Sequence, residues 1–92
     1  MTSATRLTFG RDPASDFVIA DKKASRQHAR IERRRDKYVL VDISSNGTFV
    51  TFRGQEEFAL RREEVILRVH GSISFGHGYA DDPTEIVAFE IE

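Results

Sequence analysis

The most informative part of the chain is residues 25–48, which read SRQHARIERRRDKYVLVDISSNGT. Apolar and charged residues alternate over residues 29–32, and a second, more apolar run follows at residues 38–43. A period of two residues is typical of a strand with one buried face. The polar residues 35–37 join the two runs, so the stretch is interpreted as a β-hairpin. One face of the second strand carries Val39, Val41 and Ile43.

Similar short apolar runs, separated by turn residues, continue on both sides of this hairpin. They lie at residues 7–9, 17–19, 48–52, 58–60, 65–67, 73–75 and 87–91. Residues 56–69 contain good helix formers, but the β-branched Val65 and Ile66 favour strand–loop–strand there. The sequence therefore predicts an all-β fold, a β-sandwich of about 8–11 short strands, with residues 1–92 as a single domain.

Composition and charge argue against several classes of function. The 92 residues carry 14 basic and 15 acidic side chains, a formal net charge of −1, which does not favour a nucleic-acid binder. The absence of cysteine excludes disulfides and thiolate metal sites. No apolar run is long enough for a signal peptide or a membrane helix, so we expect a cytoplasmic protein. Basic residues concentrate over residues 22–37, where they can attract an anion.

The first motif that can carry chemistry is Gly10-Arg11, at the end of the first predicted strand. Glycine permits a sharp turn of the backbone, and the arginine after it presents a planar fork of donors that matches a phosphate. Taken alone, the pair is better explained by an ordinary surface arginine that follows a turn glycine.

The second motif is Ser25-Arg26-Gln27-His28. The serine offers a hydroxyl donor and the arginine a second cation. A histidine three residues after a serine also suggests a Ser–His hydrolase, but no carboxylate is positioned to orient the histidine and no Gly-x-Ser-x-Gly turn is present. A histidine next to Ala29 and Ile31 is more typical of a residue that braces a loop.

The third motif is the run Asp42-Ile43-Ser44-Ser45-Asn46-Gly47-Thr48. Asparagine and glycine tolerate left-handed backbone conformations, so the loop can be tight. Its hydroxyls, amide and exposed N–H groups make it a candidate recognition loop, although a plain turn is the favoured explanation when the run is taken alone.

Together, in this order and between short strands, the three motifs resemble the forkhead-associated (FHA) family. The family pattern is Gly-Arg, then Ser-x-x-His, then an Asn-Gly loop after an intervening hairpin. The resemblance extends over residues 5–89. It implies an FHA/SMAD-like sandwich of two mainly antiparallel sheets, with recognition loops at one end and with no enzymatic activity, cofactor or metal.

The resemblance further implies a phosphothreonine-peptide-binding module that mediates phosphorylation-dependent protein–protein interaction in signalling. The residues that would bind the phosphate are Arg11, Ser25, Arg26 and Ser45. Asn46 would bind the main chain of the peptide. The residues that would support the architecture of the loops are Gly10, His28, Gly47 and Thr48.

Two positions depart from the family pattern and leave the peptide preference open. Thr51 stands where family members often have asparagine, and Gly71-Ser72 where they often have Gly-Asp. Lys23 and residues 76–79 lie where the family often reads the residue three after the phosphothreonine. Lys23 and Thr51 are therefore candidate specificity residues.

A second interpretation is a phosphate-independent, structural or homodimerising FHA module that regulates an attached enzyme domain. Residues 58–65 resemble FHA segments attached to nucleotide cyclases, so a bacterial multidomain signalling protein with an enzyme domain in cis is expected. The expected partner is a phosphothreonine-containing protein, with no nucleic acid and no membrane, and the expected state is a monomer or weak homodimer. His70 and His77 are interpreted as loop residues and not as metal ligands.

Overall fold

The computed structural model describes residues 6–68, 70–76 and 86–90, and these residues form nine strands and no helix. The strands are β1 (Arg6–Gly10), β2 (Phe17–Val18), β3 (Ala29–Arg34), β4 (Lys37–Asp42), β5 (Thr48–Phe52), β6 (Phe58–Leu60), β7 (Glu64–Ile66), β8 (His70–Phe75) and β9 (Ile86–Glu90). The predicted all-β fold is confirmed, and the segment rich in helix formers contributes the two short strands β6 and β7. In the described part of the chain, no helix is long and apolar enough to span a membrane.

The strands form two sheets, as the resemblance implies. The five-stranded sheet has the order β2-β1-β3-β4-β7, and the four-stranded sheet has the order β6-β5-β8-β9. Every pairing is antiparallel except that of β1 with β2. The predicted hairpin is β3 and β4, in which Ala29 pairs with Asp42 and Arg34 with Lys37.

The core lies between the two sheets. Its buried side chains are Phe9, Ile19, Ala24, Ala29, Leu40, Val50, Phe52, Leu60, Leu67, Ile73 and Phe75. Phe9 and Phe75, which come from different sheets, stack with their ring centroids 5.3 Å apart. Aromatic contacts of this kind join the two layers.

The strand β4 shows that the apolar set read from the sequence lies on its outer face. Leu40 (0% exposed) and Asp42 (1%) point towards the other sheet, whereas Ile43 just beyond the strand is 39% exposed. Val39 is buried outside the core cluster, next to its cross-strand partner Ile66. The sequence did not reveal the inner face because one of its side chains, Asp42, is a carboxylate and breaks the apolar pattern.

Many strand ends converge at one end of the sandwich. Phe9 pairs with Ala29, Ala29 with Asp42, and Thr48 with both Leu60 and Phe75. The segments that meet there are the β1–β2 loop (residues 11–16), the β2–β3 loop (residues 19–28), the β4–β5 loop (residues 43–47) and the β6–β7 turn (residues 61–63). All three sequence motifs lie in or beside these loops, at what we call the loop end.

The opposite end carries the β3–β4 turn and the turn after β5. Arg53, Gln55, Arg68 and His70 lie around one shallow cavity there, next to Phe52. These side chains are separated from the loop end by the length of the strands.

Candidate functional site

The end of β1 packs directly against the β2–β3 loop. The Arg11 N–H donates to the Ser25 carbonyl oxygen at 3.0 Å, and the Asp12 N–H donates to that of Arg26 at 3.1 Å. A Cβ atom on Gly10 would lie 2.0 Å from the Arg26 carbonyl oxygen, which is far inside van der Waals contact. Glycine is therefore required at position 10 for the two segments to approach each other.

Two arginines flank Ser25. The Arg11 Nε donates to the Ala24 carbonyl oxygen at 2.5 Å, which fixes the side chain while its terminal amino groups have no partner among the described residues. Arg26 has a side chain that is 69% exposed, and its Nη2 lies 3.7 Å from Asp12 Oδ2. An ion pair this long and this exposed holds Arg26 only weakly, so its guanidinium remains available to an anion.

The two serines of the second and third motifs lie side by side although they are distant in sequence. The Ser45 N–H donates to Ser25 Oγ at 3.1 Å. Ser45 is exposed and Ser25 is half-buried. Since Ser25 Oγ accepts in this contact, its own O–H is left to donate beside the two arginines.

His28 joins the β2–β3 loop to the β4–β5 loop. Its ring is fully buried, Nδ1 accepts from the Ser25 N–H at 2.9 Å, and Nε2 lies 2.8 Å from the Gly47 carbonyl oxygen. An accepting Nδ1 carries no proton, so the ring is the neutral tautomer that donates from Nε2. Burial lowers the pKa of His28, against the opposing effects of the Gly47 carbonyl and of Asp42. Both ring nitrogens are thus bound to main chain, and neither contacts the Ser25 hydroxyl.

Asp42 organises the base of the β4–β5 loop and was assigned no role from the sequence. Its Oδ1 accepts from the Ser44 hydroxyl and the Thr48 hydroxyl, each at 2.6 Å, and from the Ser44 N–H at 3.3 Å. Its Oδ2 accepts from the Arg62 N–H at 2.8 Å. The signal that could have revealed it is an aspartate followed two residues later by serine, which is typical of a side chain that caps its own loop.

Arg62 is the second residue that the sequence did not reveal. Its φ of 59° lies in the left-handed region, where a residue with a Cβ is rare. Besides its N–H bond to Asp42, its Nε donates to the Ser44 carbonyl oxygen at 3.2 Å. These two hydrogen bonds from Arg62 therefore hold the β6–β7 turn against the base of the β4–β5 loop.

Asn46 and Gly47 fix the tip of the β4–β5 loop through further hydrogen bonds. The Asn46 Nδ2 donates to the Lys23 carbonyl oxygen at 2.8 Å. Gly47 has a φ of 94°, and its N–H donates to Ser44 Oγ at 2.8 Å. The Gly47 carbonyl oxygen accepts from the Gly76 N–H at 2.9 Å as well as from His28. The amide oxygen of Asn46 has no partner among the described residues.

The family model described as the FHA domain matches residues 7–76, which is most of the chain. The chain belongs to the FHA domain family. The predicted resemblance is thereby confirmed.

Solved FHA domains from distant organisms have the same architecture. Mycobacterium tuberculosis EmbR, solved in complex with a low-affinity phosphopeptide, is 32% identical with a TM-score of 0.65, over 78% of this chain and 18% of EmbR. The N-terminal FHA domain of S. cerevisiae Rad53p, solved in complex with a phosphothreonine peptide, is 28% identical with a TM-score of 0.67, over 95% of this chain and 68% of that chain.

A curated relative is the oxoglutarate dehydrogenase inhibitor of Corynebacterium jeikeium. It is 48% identical to this FHA domain over 42 residues, which are 45% of this chain and 29% of the inhibitor. The chain therefore spans less than a third of that relative and less than a fifth of EmbR.

The two candidate specificity residues of the FHA domain lie in different environments. Lys23 is exposed at the loop end, where its carbonyl oxygen contacts Asn46 and would lie 2.4 Å from a Cβ on Gly76. Thr51 pairs with Ser72 inside the four-stranded sheet. It is three residues, or about 10 Å along the strand, beyond Thr48. The structure thus brings Lys23 to the motifs and does not bring Thr51 there.

Among the described residues of this FHA domain, no three His, Asp or Glu side chains cluster. His70 lies in β8 at the end opposite the loops, with Nδ1 3.7 Å from Glu90 Oε2. His77, and with it most of the segment 76–79, lies outside the described residues.

Proposed function

We propose that this FHA domain binds phosphothreonine-containing segments of partner proteins and acts as an interaction module in signalling. The observation that carries the proposal is the contact between the Ser45 N–H and Ser25 Oγ, which unites two motifs that are separate in the sequence. Around that contact lie the exposed guanidinium groups of Arg11 and Arg26.

The chemistry of these groups suits a phosphate monoester. A phosphothreonine carries about −1.5 to −2 charges at neutral pH and has three strong acceptor oxygens. In the proposed complex Arg11 and Arg26 neutralise the charge, and the hydroxyls of Ser25 and Ser45 donate to the remaining lone pairs. The free amide oxygen of Asn46 accepts an N–H of the peptide main chain.

Two solved relatives support the choice of ligand. EmbR was solved with a phosphopeptide and the Rad53p domain with a phosphothreonine peptide. Charge-assisted hydrogen bonds contribute about 1.5–3 kcal/mol each, and part of that gain is offset by ordering the peptide, so an affinity of about micromolar is expected.

Two competing functions have less support from the same residues. A Ser25–His28 hydrolase needs a histidine nitrogen on the serine hydroxyl, but Nδ1 accepts from the main chain of Ser25 and Nε2 lies on that of Gly47. In a phosphate-independent module, the exposed Arg11 and Arg26 beside the Ser25–Ser45 contact would have no ligand.

The domain is proposed to act in the cytoplasm as part of a larger signalling protein, beside an enzyme domain in cis. The matched segment makes up only 18% of EmbR and 29% of the oxoglutarate dehydrogenase inhibitor, which supports its place in a larger protein. Its proposed partner is a phosphorylated protein and not a nucleic acid or a membrane.

The test is the binding of a fluorescent phosphothreonine peptide, measured by anisotropy. The phosphothreonine form is expected to bind at least about tenfold more tightly than its unphosphorylated form, since at least one charge-assisted bond separates them. Arg11→Ala and Ser25→Ala are expected to abolish that difference.

The matched control is Arg53→Ala, which removes an exposed arginine at the opposite end of the sandwich. It is expected to bind the phosphopeptide like the unaltered protein. Discrimination of phosphate by the folded Arg11→Ala protein would show that the phosphate lies elsewhere.

A further inference from the structure

A further cationic side chain, from the β6–β7 turn, borders the proposed peptide site. The strand β6 ends at Leu60, which pairs with Thr48, and β7 begins at Glu64, which pairs with Val41. The turn between them therefore lies at the loop end. Its first residue, Arg61, is exposed.

The side chain of Arg61 lies against the glycine at the tip of the β4–β5 loop. A Cβ on Gly47 would lie 3.4 Å from Arg61 Nη1 and 3.7 Å from Arg61 Cγ. The guanidinium carbon lies 5.8 Å from the centroid of the Phe49 ring, within the range of a cation–π contact. These contacts hold the guanidinium at the corner between the loop tip and the outer face of the four-stranded sheet.

The main chain that carries Arg61 is also fixed. The Arg61 N–H donates to Glu63 Oε1 at 3.2 Å, and the next N–H, that of Arg62, donates to Asp42. The Asp42 N–H in turn donates to the Glu63 carbonyl oxygen at 2.9 Å. A side chain anchored on a fixed turn loses little conformational entropy when it binds a ligand.

The charge of Arg61 is not matched within the described part of the chain. Its guanidinium has no ion pair or hydrogen bond with any described residue, although it stacks on a ring. Arg34, by contrast, is paired with Glu32 and Glu64 on the outer face of the other sheet. Arg61 thus offers an unused planar fork of donors to an anionic group.

We infer that Arg61 binds a second anionic group on the peptide, carried by a residue that flanks the phosphothreonine. This inference rests on the proposed function, since it needs the peptide to cross the loop tip at Asn46. Gly47 lies two residues from Ser45, a span of at most about 7 Å. An extended peptide advances about 3.3 Å per residue, so the anionic group lies within about three residues of the phosphothreonine.

Either a carboxylate or a second phosphate can supply this anion. The experiment uses phosphothreonine peptides whose flanks are alanine, with one glutamate placed in turn at each of the three positions before and after the phosphothreonine. A parallel set carries a phosphoserine in place of the glutamate. Affinities are measured by anisotropy for the unaltered protein, Arg61→Gln and Arg68→Gln.

Arg68→Gln is the matched control because Arg68 also lies over a phenylalanine ring, that of Phe52, at 5.6 Å. It stands at the opposite end of the sandwich. One glutamate position is expected to improve binding to the unaltered protein about two- to fivefold, the value of an exposed ion pair. The gain should vanish in Arg61→Gln and persist in Arg68→Gln.

The outcomes separate the inference from the proposed function. If no phosphopeptide binds the unaltered protein, both are wrong. If the alanine-flanked phosphopeptide binds but Arg61→Gln changes no positional preference, only the inference is wrong. Equal weakening of every peptide by Arg61→Gln would also overturn it, because Arg61 would then act only on the shape of the loop. A gain restricted to the phosphoserine set identifies a second phosphate as the anion.

Discussion

At the scale of single residues, Asp42 connects the two sheets beneath the loops. It ends β4 in one sheet, and its Oδ1 accepts from the hydroxyl of Thr48, which begins β5 in the other. Its second oxygen accepts from Arg62, which holds a left-handed backbone in place. A buried carboxylate is tolerated here because donors satisfy both oxygens.

Replacement of Asp42 by alanine is therefore expected to be costly. The hydroxyls of Ser44 and Thr48 and the N–H of Arg62 would lose their acceptor inside the protein. Asp42→Ala should lower the free energy of unfolding by about 2–4 kcal/mol, measured by urea denaturation.

The control is Asp36→Ala, which alters an exposed aspartate in the β3–β4 turn. Its effect should stay within about 0.5 kcal/mol. Equal stabilities of the two variants would contradict the role assigned to Asp42.

At the scale of elements, the site consists of loops that are joined to each other as well as to the strands. His28 links the β2–β3 loop to the β4–β5 loop, and Arg62 links the β6–β7 turn to the same loop. The link through His28 depends on protonation, because Nδ1 must accept a hydrogen bond.

The stability of the unliganded protein should accordingly depend on pH. Burial lowers the pKa of His28 in the folded state, so the unfolded chain, with a pKa of about 6.5, binds the proton more tightly. The contribution of His28 is complete above pH of about 6.5. It decreases as the pH falls from there towards the folded-state pKa, by up to about 1.4 kcal/mol per pH unit.

The measurement is urea denaturation between pH 7.5 and 5.5, compared with His28→Asn, in which the decrease should be smaller. The other histidines are the same in both proteins, and the lowered pKa of Glu32, caused by hydrogen bonds from Arg30 and Arg34, acts at lower pH. Peptide is omitted because a phosphate monoester titrates near pH 6. Parallel profiles of the two proteins would show that His28 does not titrate in this window.

At the scale of the whole molecule, two sheets enclose one core, and the outer face of each sheet is free to carry charge. On the five-stranded sheet Arg30, Glu32, Arg34 and Glu64 form a connected row of ion pairs. Leu40 points inward from the same sheet and is fully buried, whereas Ile43 is 39% exposed.

This assignment of faces predicts different costs for two similar truncations. Leu40→Ala should lower the free energy of unfolding by about 2–5 kcal/mol, because it leaves a cavity between the sheets. Ile43→Ala removes a side chain of similar size from a partly exposed site and should cost much less. Urea denaturation of both variants checks the difference, and a larger cost for Ile43→Ala would reverse the assignment.

The sequence predicted the fold class and the hairpin, because alternation and turn residues are local signals. The three motifs could be read from it directly. It did not identify the inner face of β4, since Asp42 is polar and its burial depends on donors from distant segments. The contacts of Arg61 and Arg62 were likewise not predictable, because they arise only when β6 and β7 join different sheets. Of the two candidate specificity residues, Thr51 lies inside a sheet, a position that depends on the register of β5 with β8.

The carbonyl oxygen of Gly47 has a consequence for the kinetics of binding. It accepts hydrogen bonds from His28 and from Gly76, so this one atom joins three separate segments of the chain. A peptide that arrives at this surface meets loops whose main chain already stands in one arrangement, so ordering these loops adds little to the entropy lost on association. Peptides of different sequence are then expected to arrive at similar rates and to differ in how long they remain bound.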